Sequence, residues 1–243
     1  MAYPVCKKFP LMHQNLCEID VNYCNGTASW KALAAGLTST NPSLSETVDT
    51  TPYLDGGGFS ESEVTGAQMM VTCTGHRVVG DAAQDYIFSK DLSLGEGRYS
   101  QVRYTDSEGN VVAQKVTIAN IALPNGDAGA KGAISFELHF AGKPVKTPAS
   151  TAPALVATIV AGTASGTTKF TATPAEGNSL GYLLTASDVG DPNANSSVQF
   201  IAYTSGANIQ ATAGQYLNMF ELDANNRVVK FLSQVLASGD IAA

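Results

Sequence analysis

The side chains of this 243-residue chain with the most chemistry open to them are three histidines and four cysteines. Nucleophilic catalysis needs a Ser or Cys with a base, normally His, within reach. His139 stands beside Phe140 in an alternating stretch and His76 in a turn, positions that suit packing and surface roles. No G-x-S-x-G elbow surrounds any serine. Cys6, His13, Cys17 and Cys24 offer four potential zinc ligands within 19 residues, separated by six, three and six residues. Zinc sites usually group ligands in tight pairs such as C-x₂₋₄-C. On one strand, Cys17 and Cys24 would face opposite sides of the sheet. Zinc, a disulfide and unpaired thiols are the three readings; unpaired thiols fit a reducing compartment, so neither a metal nor a cofactor is expected.

The remaining candidates have plainer readings. Asp55-Gly56-Gly57-Gly58 resembles a phosphate loop in glycine content only, because it lacks the G-K-[ST] ending and leads into no helix. It reads as a loop tip, and Gly95-Glu96-Gly97-Arg98 is no more specific. Glu61 and Glu63 share one face of a strand, as paired glycosidase acids would, yet nothing around them suggests a sugar cleft. Trp30 reads as a packing residue. An enzyme is not expected.

The elements that would position these residues are mostly strands. Alternation predicts strands at 16–23, 63–74, 99–104, 111–121 and 133–140, with a hairpin turn at 106–110. Residues 38–60 hold Asn41-Pro42, Thr51-Pro52 and the glycine run, and read as a long irregular segment of the functional or mobile kind. Asp81 is a good helix N-cap with Gln84 at the reciprocal capping-box position. Ala83, Tyr86, Ile87 and Lys90 would share one face of that helix. The run 143–153, with three prolines, reads as an extended linker with few internal contacts. The expected organisation is a domain at 1–147, a linker at 148–152 and a small β-sandwich at 153–243. In the latter, strands are expected at 155–161, 167–173, 180–186, 198–204, 216–222 and 227–236, the last with helix as an alternative.

The formal net charge is −7, with 11 basic and 15 acidic residues in 1–147 and 3 and 6 in 148–243. No clustered cations suited to gripping nucleic acid occur. The first residues lack the apolar core of a secretory signal. The longest clean apolar run, 155–161, is far short of the roughly 20 residues that span a bilayer. A cytoplasmic protein, or one in a particle assembled there, without membrane insertion, is therefore expected.

In order, Trp30-Lys31-Ala32-Leu33, Tyr53-Leu54-Asp55-Gly56-Gly57-Gly58, Glu63-Val64-Thr65-Gly66, Thr74-Gly75-His76-Arg77, Gly80-Asp81-Ala82-Ala83-Gln84-Asp85 and Phe140-Ala141-Gly142-Lys143-Pro144 resemble the major tail tube protein of long-tailed, siphovirus-type bacteriophages. The resemblance covers roughly residues 15–145. It implies a mainly β fold, a tail-tube β-sandwich or barrel with one flanking α-helix, followed here by an immunoglobulin-like β-sandwich. It further implies homohexameric rings stacked into a tube in the virion tail, assembled in the bacterial host cytoplasm. Tape measure, distal tail and tail terminator proteins would be partners, and DNA would pass through the lumen without specific binding. Asn41, Pro42, Tyr53, Asp55, Gly56, Gly57 and Gly58 would belong to a loop reaching a neighbouring ring, and Asp81 and Gln84 would cap the helix. The alternative is a virion decoration or adhesin-type β-sandwich binding protein.

Overall fold

A computed structural model describes residues 10–243, and the fold is mainly β, with antiparallel sheets and one α-helix. No helix among the described residues is long and apolar enough to cross a membrane. The chain divides into two compact units. One comprises Leu16–Tyr104 with Val112–Lys146; the other comprises 10–15, Thr105–Val111 and Thr147–Ala243.

The N-terminal unit is built on strands β1 (Leu16–Asp20), β2 (Trp30–Ala32), β3 (Leu37–Asp49), β4 (Glu63–His76), β5 (Tyr99–Thr105), β6 (Val111–Asn125) and β7 (Ala133–Phe140). Their order across the sheet is β2-β1-β5-β6-β7-β4-β3, and β8 (Val145–Thr147) pairs with β6. Strand β7 shows why the sheet has an inside: Ile134, Phe136, Leu138 and Phe140 are buried, while Ser135, Glu137 and His139 between them face the other way. The inward residues of β1, β4, β5, β6 and β7 form one core with Ala83 and Ile87 of the helix α1 (Ala82–Phe88).

Two expectations are corrected here. Of residues 38–60, expected to be irregular, 38–49 belong to strand β3. Its Ser, Thr and Asn residues give no apolar alternation, and a backbone ladder to β4 running from Leu37–Gly75 to Asp49–Glu63 holds it. Strand β1 stops at Asp20, three residues early. The Asp20 carboxylate accepts hydrogen bonds from the backbone N–H groups of Asn22 (2.9 Å) and Ser29 (2.8 Å), turning the chain. Within the run 143–153, β8 forms, Thr151 bridges to Asn193, and Phe231 N–H donates to Pro153 O at 3.0 Å.

In the C-terminal unit, β9 (Thr158–Ala161), β10 (Thr167–Thr171) and the two-residue β13 (Ile209–Gln210) form a three-stranded sheet. A four-stranded sheet follows the order β12 (Ile201–Tyr203), β11 (Ser179–Thr185), β14 (Tyr216–Leu222), β15 (Val228–Val235). Both contribute to one core containing Phe170, Leu180, Ile209, Leu217 and Met219, so the unit is a β-sandwich. A second cluster of Phe220, Leu222, Val228 and Phe231 covers the other face of the larger sheet. The final apolar segment is strand β15, paired along β14, rather than the helix alternative. Arg227, almost fully buried, donates to Asp106 O (3.0 Å), Asn195 O (3.2 Å) and Gln14 O (2.5 Å).

Glu221 is the one fully buried carboxylate among the described residues of this unit. Burial alone raises its pKa, but donors from Lys230 Nζ (2.7 Å), Ala175 N (3.0 Å) and Asn178 Nδ2 (2.7 Å) outweigh that and hold it below the usual glutamate range. A depressed folded-state pKa contributes stability that is full above the unfolded value, about 4.3, and is lost as pH falls through the folded one. Glu221→Gln is expected to lower stability by about 1–3 kcal/mol at pH 7. The gap to wild type should narrow below about pH 4, as read by urea unfolding at a series of pH values; a constant gap would contradict the assignment.

Candidate assembly surface

Only half of strand β4 lies on the core of its own unit. Val71 and Cys73 are buried, whereas residues 63–68 are exposed, as are residues 43–49 of β3 opposite them. The two strands therefore leave the sheet as a two-stranded arm. On the core-side face, apolar residues continue outward past the core at Met69 and its partner Leu44 (57% exposed) and again at the pair Val48–Val64, with Glu46 opposite Ala67 between them. The tip carries Tyr53, Leu54 and Phe59, of which Leu54 and Phe59 are almost wholly in solvent.

The tip is shaped by backbone rather than side chains. A bridge between Pro52 and Ser60 narrows it, and Leu54–Gly56 forms a 3-10 turn. Gly57 and Gly58 take positive φ values of 61° and 91°, which favour glycine. Of the predicted loop residues, Tyr53, Asp55, Gly56, Gly57 and Gly58 sit at this tip. Asn41 and Pro42 do not; they stand at the base of the arm in β3, opposite Thr72 and Val71. Proline is tolerated there because β3 is an edge strand. Residues 37–76 contain five acidic residues, Glu46, Asp49, Asp55, Glu61 and Glu63, and no Lys or Arg.

The sheet surface facing away from the core is rich in small hydroxyl and amide side chains. By register, Ser39, Asn41 and Ser43 lie opposite Thr74, Thr72 and Met70, which pair in turn with Ser135, Glu137 and His139. Glu137 is held by His139 Nε2 (2.8 Å) and Asn120 Nδ2 (2.6 Å), which keep its pKa below the usual range. Two cations of this face are committed: Arg103 is hydrogen-bonded to Glu18 and stacked 4.6 Å over Trp30, and Lys115 lies 3.5 Å over Tyr99.

The residues with metal or nucleophile chemistry are not drawn together. His13 and Cys24 are exposed, Cys17 is buried in the core, and Cys6 lies outside the described residues. Among the described residues no group of three His, Cys, Asp or Glu is arranged to hold a metal. Burial, with Cys73 and Glu18 nearby, raises the Cys17 pKa, and burial pushes Cys73 up to about 12, so both are thiols rather than thiolate nucleophiles at neutral pH.

Gln84 turns out to be the hub at the base of the arm. Asp81 caps α1 as predicted, accepting from Gln84 N at 2.9 Å. The reciprocal half of the capping box is absent, since Asp81 N–H donates to Val78 O and the Gln84 side chain is used elsewhere. Gln84 Nε2 donates to Ala35 O (2.6 Å) and His76 O (3.3 Å), and its Oε1 accepts from Val78 N (2.9 Å) and Arg77 (3.3 Å). The helix ends at Phe88, so Lys90 falls beyond it, donating to Gly97 O and lying over Tyr86. None of Gln84's side-chain partners is visible as a short-range motif, which is why its role as a hub was missed.

A sequence family described as the S-layer protein SbsC C-terminal domain matches residues 160–239. No curated protein sequence matches the chain. Among solved structures, a chain from the tail of an empty gene transfer agent particle with C6 symmetry is 16% identical, covers 57% of this chain and 98% of that one, and has a TM-score of 0.48. A chain from the virion of a native gene transfer agent particle is 15% identical over 57% and 98%, with a TM-score of 0.46. Domains 7, 8 and 9 of the S-layer protein SbsC are 24% identical over 56% of this chain and 39% of that one, with a TM-score of 0.38.

Gln84→Ala strands buried backbone groups and is expected to cost about 2–3 kcal/mol, against about 1 kcal/mol for Asp81→Ala, which loses only the cap. Thermal unfolding of both variants checks the order; equal losses would show that Gln84 is not the hub.

Proposed function

We propose that this chain is a structural subunit that assembles with copies of itself into the tail tube of a phage-type particle. The observation that carries the reading is the arm: apolar side chains that begin in the core and recur out into solvent, interrupted at Glu46 and ending in an apolar tip, form a surface built to be covered. The order of sequence motifs shared with tail tube proteins supplies the kind of assembly, namely hexameric rings stacked into a tube. The N-terminal unit forms the ring, the arm with Tyr53 and Asp55–Gly58 reaches the next ring, and Asn41 and Pro42 seat its base. The hydroxyl-rich sheet face is the wall of the channel through which DNA passes. Tape measure, distal tail and tail terminator proteins are the further partners, and assembly takes place in the host cytoplasm. The role is structural rather than enzymatic.

A second reading is favoured by the S-layer match over residues 160–239, which suits a surface-displayed binding module. In the leading reading, 153–243 is an added domain outside the tube.

Negative-stain electron microscopy of the concentrated protein is expected to show hollow stacked rings. A soluble, ring-free protein that binds cell-wall carbohydrate would instead establish the binding-module reading. An arm-less variant, with 46–67 removed and Ser45 joined to Gln68 through an Asn-Gly turn, is expected to fold and not to stack; normal tubes from it would sink the role given to the arm. Tubes carrying Thr72→Lys and Thr117→Lys are expected to form and to retain DNA at low salt but not at high salt, whereas wild-type tubes retain none. Variant tubes that ignore DNA would place the wall elsewhere.

A further inference from the structure

The arm and a second exposed apolar patch lie at opposite ends of the same sheet. Strand β4 pairs with β7 from Met70–His139 to His76–Ala133, and the arm leaves beyond Met70. At the other end, Asn125 of β6 also pairs with Ala133, and Arg77 N–H donates to Gly132 O at 2.9 Å. This second end therefore carries Val78 and Val79, just after β4, and Leu123, near the end of β6. Their exposures are 38%, 86% and 56%.

We infer that the tip of one copy, Leu54 with Tyr53 and Phe59, docks on the Val78–Val79–Leu123 end of a second copy. The inference rests on the self-assembly reading above and names the receiving surface. Two considerations select this pairing. Tip against tip would bring Asp55, Glu61 and Glu63 of one copy against the same residues of another, on an arm with no cation to offset them. The receiving end instead offers Lys131, exposed and in no ion pair with another described residue, on the turn between β6 and β7, although Asp127 lies on that turn and Asp81 follows Val79 by two residues. A contact between unlike ends is heterologous and leaves a free tip and a free patch on every pair, so it propagates instead of closing as a dimer. One such contact per subunit gives a stack with a single polarity.

Disulfide trapping tests this in a background with Cys6 and Cys24 changed to serine. The doubly substituted chain L54C/V79C is expected to give a ladder of disulfide-linked multimers on oxidation of assembled protein. L54C alone and V79C alone are expected to give no ladder, and an equal mixture of the two to give linked dimers. Dimers from L54C alone would mean tip-to-tip packing and overturn the inference. Stacked particles with no trapping between the two positions would overturn it as well, while leaving self-assembly standing. Wild-type protein that forms no particles would remove both readings together.

Discussion

Strand β4 is fourteen residues long and has a core beneath only its C-terminal half, and much of the N-terminal unit is organised by that mismatch. The anchored half belongs to an ordinary sheet interior, with Val71 and Cys73 fully buried and β7 and β3 on either side. The free half pairs its backbone with β3 on one side and turns the other to solvent, so no buried polar group forces it down onto the domain. Its apolar side chains remain uncovered. A two-stranded hairpin is marginal alone in water, so this one takes its order from the sheet at its base. Covering it by a partner would therefore cost little ordering entropy and would remove apolar surface from water.

The base must then be stiff, and two devices make it so. Gly75 sits so close to the preceding strand that a Cβ there would stand 2.4 Å from Gly36 O, and Gly36 itself holds φ at +68°. Only two glycines allow the start of β3 and the end of β4 to stand at that separation. Around them Gln84 links the chain entering β3, the end of β4 and the first turn of α1 through four hydrogen bonds. The helix is only seven residues long and would not be stable alone. Its place in the fold is to bring Gln84, Ala83 and Ile87 to the root of the arm.

What the sequence made legible followed the reach of its signals. Strand β7 was readable because apolar and polar residues alternate without interruption from Ala133 to Phe140, and α1 because its cap is local. Strand β3 was not, because a strand with solvent on both faces has no reason to alternate, and Pro42 with the Ser and Thr residues imitates a loop. Only its partner, more than a turn of chain away, makes it a strand. The same distance hides the Arg103–Glu18 pair, 85 residues apart, and the seat of Arg227 on Asp106 and Gln14. No change of composition marks 105–111 as belonging with the C-terminal unit. At the candidate site the tip was readable from its glycines, while the apolar row leading to it appears only once the register with β4 is known.

The placement of charge bears on how a conduit could pass DNA. A net charge of −7 suggests a wall that repels phosphate, yet the arm takes five of the acids and the proposed wall shows mostly hydroxyls and amides. Glu137, set among them, is already engaged by His139 and Asn120. Two cations of the face are committed: Arg103 is neutralised by Glu18, and Lys115 lies over the Tyr99 ring. Counterion release is the main source of non-specific affinity for DNA, and it requires cations free to replace the ions around phosphate. Hydroxyl groups exchange hydrogen bonds with water at little net gain, so a wall of this kind would neither hold DNA nor need to push it away.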